Sequence, residues 1–207
     1  MEMKTDEMQF TFPPIELTKE FISSLIPYPK EIIEPLPIPR KTKTFLTTTG
    51  LPIHSRYFFW AGDLFVFYEQ PRTINFCSCG KDNFLVIGEL KGLDKPPFVA
   101  INVNRGGVYS LHQSLTVDRQ PYLYTTFFNS GIAEFVQSIG CWQVFAPIVY
   151  EYEDQLCKKH IAPWDYEDVL YAPFKEKLFQ RDPKAIKKPR KDQLHWWPVV
   201  CCYDPGA

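Results

Sequence analysis

Pro97-Phe98-Val99-Ala100-Ile101-Asn102-Val103-Asn104-Arg105-Gly106-Gly107-Val108-Tyr109-Ser110-Leu111 decides the fold. β-Branched and aromatic residues crowd both sides of Asn104-Arg105-Gly106. The pattern reads as two strands, Pro97 to Val103 and Gly107 to Leu111, joined by a tight turn. Asn and Gly supply that turn because both tolerate φ > 0. So short a connection has no room for a crossover helix, so the pair must be antiparallel. Working outward, Arg56 to Trp60, Asp63 to Glu69, Phe84 to Leu90 and Tyr122 to Phe127 share this composition. Ala61-Gly62, Cys79-Gly80-Lys81-Asp82 and Lys91-Gly92-Leu93-Asp94 divide them. Residues 41–128 therefore read as a mainly antiparallel meander of about six strands.

Past residue 128 the period changes. Ile132, Phe135, Val136 and Ile139 recur at i, i+3, i+4 and i+7, so a helix is expected from Ser130 to Ile139, with an extension through Trp142 and Phe145. Asn129 or Ser130 is the expected cap, and Glu134 suits the positive helix start. A second helix is expected from Tyr150 to His160, with acids near its start and Lys158 and Lys159 near its end. Later prolines cut the chain into short pieces, and Asp182-Pro183 suits a cap and first helical position. Sheet plus helices make the class α+β. Residues 1–40 read as an appendage. Leu17, Phe21 and Leu25 mark a short helix, and Pro29 to Pro39 an extended strap laid on the body through Ile32, Ile33, Leu36 and Ile38. Residues 41–207 then form a single domain.

The composition suits this reading. Of 207 residues, 45% are hydrophobic and 23% charged, which excludes a disordered chain, a collagen and a coiled coil. Aromatics at 16% favour half-buried strands. A net charge of −1 argues against a generally basic nucleic-acid binder. Six cysteines at irregular spacing do not make a disulfide scaffold. The N-terminus lacks the basic and apolar regions of a signal peptide, and no window reads as a spanning helix. A cytoplasmic protein with no membrane partner is expected.

Candidate chemistry is sparse. Cys157 and His160 stand at i, i+3, a spacing that could pair a thiolate with an imidazole, but a packed cysteine beside a surface histidine is the plainer reading. Cys77 and Cys79 are one residue apart, too close for the usual zinc knuckle, with His195, Cys201 and Cys202 as conceivable partners. No metal, cofactor or catalytic residue is expected. Arg181, Lys184, Lys187, Lys188, Arg190 and Lys191 form a basic run with Trp196 and Trp197 beyond it. A solvated face with anchoring tryptophans is favoured there over nucleic-acid contact. Acidic residues interleave with aromatics at Tyr150, Tyr152, Glu153, Trp164, Asp165 and Tyr166. That mixture suits docking of a cationic protein.

Several strings resemble the fourth family of the SUKH superfamily of immunity proteins. They are Phe45-Leu46-Thr47-Thr48-Thr49-Gly50-Leu51-Pro52, Leu85-Val86-Ile87-Gly88, Val99-Ala100-Ile101-Asn102 with Gly106-Gly107-Val108-Tyr109, Phe127-Phe128-Asn129-Ser130-Gly131-Ile132-Ala133-Glu134-Phe135, and Asp182-Pro183-Lys184-Ala185 with Trp196 or Trp197. Gly131 replaces the usual second serine, and Asn102 stands where an acid is common. The resemblance implies a curved antiparallel sheet flanked by helices. It also implies a cytoplasmic, non-catalytic antitoxin that sterically blocks a polymorphic toxin, often a nuclease or deaminase. On that reading, Tyr150, Tyr152, Glu153, Trp164, Asp165 and Tyr166 are the expected partner surface. The alternative is a ligand binder or scaffold with a pocket on the aromatic sheet, lined by Phe58, Phe65, Phe67, Tyr122 and Tyr124.

Overall fold

The computed structural model describes residues 10–53, 57–58, 64–68, 75–79, 82–91, 97–115 and 121–186. Its strands are β1 (Tyr57–Phe58), β2 (Leu64–Phe67), β3 (Asn75–Cys79), β4 (Asp82–Lys91), β5 (Phe98–Asn102), β6 (Val108–Leu115) and β7 (Pro121–Asn129). They make one antiparallel sheet in the order β1-β2-β4-β5-β6-β7, with β3 also on β4. The described residues thus hold seven strands where about six were expected. The added one, β3, pairs with Asp82 to Val86, whereas β2 pairs with Gly88 to Lys91. The two share one edge of β4 end to end, so the sheet is still six strands wide. The run Asn75-Phe76-Cys77-Ser78-Cys79 has little strand propensity of its own and is held by its neighbour's ladder.

Alternation sorts the sheet's side chains. Leu85 and Ile87 on β4, and Val99 and Ile101 on β5, join the main core. Phe84, Val86, Ala100 and Leu111 form a smaller cluster. A register shift between Val86 and Gly88 bulges β4, and the strand continues beyond it to Lys91.

The main core lies against α4 (Ile132–Lys158), a single helix of 27 residues. The two expected helices are thus one, and Pro147 lies inside it. Pro147 donates no amide and is exposed, while Phe145, Ala146 and Val149 around it are buried. Tertiary packing outweighs the break. Phe135 meets Phe65 edge-on at 5.6 Å and lies tilted on Phe128 at 5.4 Å, and Trp142 packs on Phe174 at 5.0 Å. The helix is therefore apolar nearly all round its middle. An 18-residue window of it has a mean hydropathy of 1.3, long and apolar enough to cross a membrane, contrary to the sequence reading. Yet 61% of that window is buried inside the molecule, as a core helix should be.

The C-terminus of α4 closes with a Schellman motif. Ile161 N–H donates to Leu156 O at 3.0 Å and His160 N–H to Cys157 O at 2.9 Å, with His160 left-handed at φ 57°. A 3₁₀ turn (Pro163–Tyr166), α5 (Glu167–Leu170), α6 (Ala172–Arg181) and a 3₁₀ turn (Pro183–Ile186) follow.

The N-terminal segment joins the same core. α1 (Lys19–Ser23) buries Phe21, and Ile15, Tyr28, Ile33 and Ile38 are also core residues. The expected extended strap contains a helical turn, α2 (Lys30–Ile33), because the proline-free stretch after Pro29 is just long enough for one. Residues 40–48 form a third helix, α3 (Arg40–Thr48), where the meander was expected to begin. Pro39 sets φ at −57° before it, and Thr42 and Leu46, four apart, face the core. Thr47 and Thr48 donate to the carbonyls of Lys43 and Thr44 at 2.9 and 2.8 Å, which ties β-branched hydroxyls into the helix. Gly50 ends it at φ +81°, where a Cβ would fall 1.9 Å from Ile26 O.

Candidate functional site

The N-termini of α3 and α4 converge on a cleft of about 590 Å³. One wall is Arg40, Lys41, Thr44, Phe45, Thr48 and Thr49; the facing wall is Ser130 to Glu134. Arg105 and Gly106 of the turn between β5 and β6 also line the cleft. Asn102 places Arg105: its buried Oδ1 accepts the amides of Asn104 at 3.0 Å and Arg105 at 2.9 Å, which pins the β5–β6 turn. Lys41 Nζ donates to Glu134 Oε1 at 2.8 Å, and this bond, with the carboxylate's charge, raises the lysine's pKa. Neither helix start has a side-chain cap, contrary to the expected role of Asn129 or Ser130. The cap residue of α4 is the extended Gly131.

Asn129 and Ser130 are occupied elsewhere. Asn129 Nδ2 donates to Asp182 Oδ2 at 3.2 Å and to Ser138 Oγ at 3.4 Å, and Ser130 N–H donates to Asp182 Oδ2 at 2.6 Å. Asp182 Oδ1 accepts Lys184 N–H at 3.2 Å. Asp182 is 2% exposed, so the carboxylate is held by donors at the junction of β7, α4 and the C-terminal 3₁₀ turn.

The expected partner surface lies at the far end of α4. Tyr150 is half-buried, edge-on to Trp142 at 6.4 Å, and burial, then the charge of Glu153, pushes its phenol pKa up to about 12. Tyr152 is covered by the N-terminal segment. Phe10 and Phe12 meet its ring edge-on at 5.0 and 5.5 Å, and its hydroxyl accepts Thr11 N–H at 3.0 Å and donates to Thr11 O at 2.9 Å. Tyr166 also packs on Phe10, at 5.7 Å. Glu153 accepts a hydrogen bond from Tyr171 at 2.8 Å. Asp165 is exposed, as are Glu151 and Asp154. Trp164 has its backbone in the 3₁₀ turn; its side chain is outside the described residues. The surface as built therefore offers carboxylates, with its tyrosines turned to the chain's own residues.

The alternative sheet pocket is filled where it can be seen. Phe65 and Phe67 are each 1% exposed and pack on Phe135, while Tyr124 stacks on His112. The side chains of Phe58 and Tyr122 lie outside the described residues, as do those of Cys77 and Cys79 and all of residues 187–207. Cys157 and His160 are both exposed. Burial raises the pKa of the Cys141 thiol. Arg181 of the basic run donates to Gln137 at 3.1 Å.

Sequence reasoning missed the cleft. A signal was present: no Asp or Glu occurs between Glu34 and Asp63, while Arg40, Lys41 and Lys43 follow Pro39.

An open antiparallel sheet over one long buried helix, with a cationic cleft at the helix start, defines an α+β protein. The SUKH-4 immunity protein family matches residues 15–203, and the chain belongs to it. The segments at Phe45, Arg105 and Ser130 meet in the cleft, and Asp182 joins Ser130 beside it. No curated protein and no solved structure matches.

Proposed function

We propose that the protein is a cytoplasmic, non-catalytic immunity protein that binds a cognate toxin and blocks it sterically. Membership of the SUKH-4 family over residues 15–203 carries this reading. A toxin that acts on nucleic acid, such as a nuclease or deaminase, would present a cationic face. Exposed Asp165 and Glu151, with Asp154 held by Lys158, are the carboxylates of this chain that would complement it. Tyr150, Tyr152, Glu153, Trp164 and Tyr166 form their surroundings, and a stable contact would cover about 800 Å² per partner.

The test is co-expression with the toxin encoded beside the gene. The expected result is survival and a stoichiometric complex on purification. E151K/D165K should weaken capture about tenfold and make it less salt-dependent. Full-strength capture by E151K/D165K would remove this face, and a toxin that kills despite ample immunity protein would overturn the function.

A further inference from the structure

We propose that the cleft between α3 and the start of α4 receives an acidic polypeptide segment of the toxin, with its carboxylates paired to Arg40 and Arg105. The identity of the partner rests on the immunity reading; the chemistry rests on the cleft. Its walls carry Arg40, Lys41 and Arg105; the adjoining depression holds Lys43 together with Glu34, whose carbonyl accepts from the Lys43 ammonium. Among the described residues Glu134 is the one carboxylate in the lining, and its Oε1 is bonded to Lys41. Among the described residues neither arginine has an ion-pair partner, and both are exposed.

The placement of these charges works against local stability. Arg40 and Lys41 open α3, where the helix dipole favours acids, and the first turn contains none. The fold thus concentrates positive charge where helix energetics disfavour it. Carboxylates brought by a partner would reverse that cost, and a guanidinium can bind a carboxylate through two parallel hydrogen bonds. The arginines come from separate elements, α3 and the β5–β6 turn, so a chain with acids at successive positions is held along the cleft. Hydroxyls of Thr44, Thr49 and Ser130 can meet its backbone, and Phe45 supplies apolar contact. A volume of about 590 Å³ has room for several side chains. Glu134 and Glu153 lie 19 residues apart on α4, roughly 28 Å along its axis. The cleft and the acidic face can therefore be altered independently.

The test is fluorescence anisotropy with a labelled dodecapeptide rich in Glu and Asp. The wild-type chain should bind it, and R40E/R105E should bind at least about tenfold more weakly with a thermal midpoint no lower than that of the wild type. K159E, at the far end of α4, should stay within about twofold. Absence of binding, equal loss in K159E, or displacement by millimolar inorganic phosphate overturns the assignment. R40E/R105E should also lower toxin capture in the co-expression assay, and unaltered capture overturns it as well. A wild-type chain that binds the peptide through both arginines yet neither captures the toxin nor protects against it would defeat the immunity reading and leave the cleft's acid-binding chemistry standing.

Discussion

His112 faces Tyr124 directly across β6 and β7, ring over ring at 4.7 Å and 8°. Its Nε2 is 2.7 Å from Ser110 Oγ. Burial holds its pKa below the ordinary 6.5, because the charged imidazolium loses water there. The unfolded chain takes up a proton near that ordinary value and the folded chain resists until lower pH. In the interval the unfolded state binds more protons, so stability falls as pH falls. Thermal midpoints measured from pH 7 to pH 5 should decline less steeply in His112→Gln than in the wild type. Identical slopes would place the titration elsewhere.

At the scale of elements, the contact of α1 with α4 turns on Gly140. A Cβ there would fall 2.5 Å from Leu17 Cδ2 and 2.6 Å from Phe21 Cε1. Leu17 can swing aside, but the buried Phe21 ring cannot. Alanine would favour the helix by about 1 kcal/mol. Overpacking of a close contact costs about 1–3 kcal/mol. Gly140→Ala should therefore lose about 1 kcal/mol net in urea unfolding and speed proteolysis within residues 10–25. Unchanged proteolysis would show that the first helix does not depend on this contact. The sequence made this architecture only partly legible. Strands with continuous β-branched and aromatic runs were readable because their local preference agrees with their tertiary role. α3 was not, since its threonines favour strands and only Pro39, the hydroxyl bonds and the burial of Leu46 commit it to a helix. α4 was split in reading because Pro147 is a strong local break, and what overrides it is packing on both sides, which no local window contains.

Across the whole molecule, Asp182 ties the start of α4 and the end of β7 to the C-terminal 3₁₀ turn over a sequence gap of 52 residues. Both strings were visible in the sequence, as a helix start and an Asp-Pro turn, but their meeting was not, because each satisfies a plausible local motif alone. The cleft beside them was hidden for the same reason: its cations come from two segments that only folding brings together. In Asp182→Ala the amides of half-buried Ser130 and of Lys184 lose the buried carboxylate as acceptor, while the Asn129 carboxamide loses one acceptor and keeps Ser138 Oγ. Buried donors left without partners cost about 1–3 kcal/mol each, less whatever neighbours recover by shifting. The expected loss is about 3 kcal/mol, read as a lower urea midpoint with an unchanged slope. Asp182→Asn keeps the shape and one carbonyl acceptor, and should lose less. A fall in slope for the alanine variant would mean that the C-terminal turn unfolds separately, and an unchanged midpoint would show that the carboxylate is not the tie.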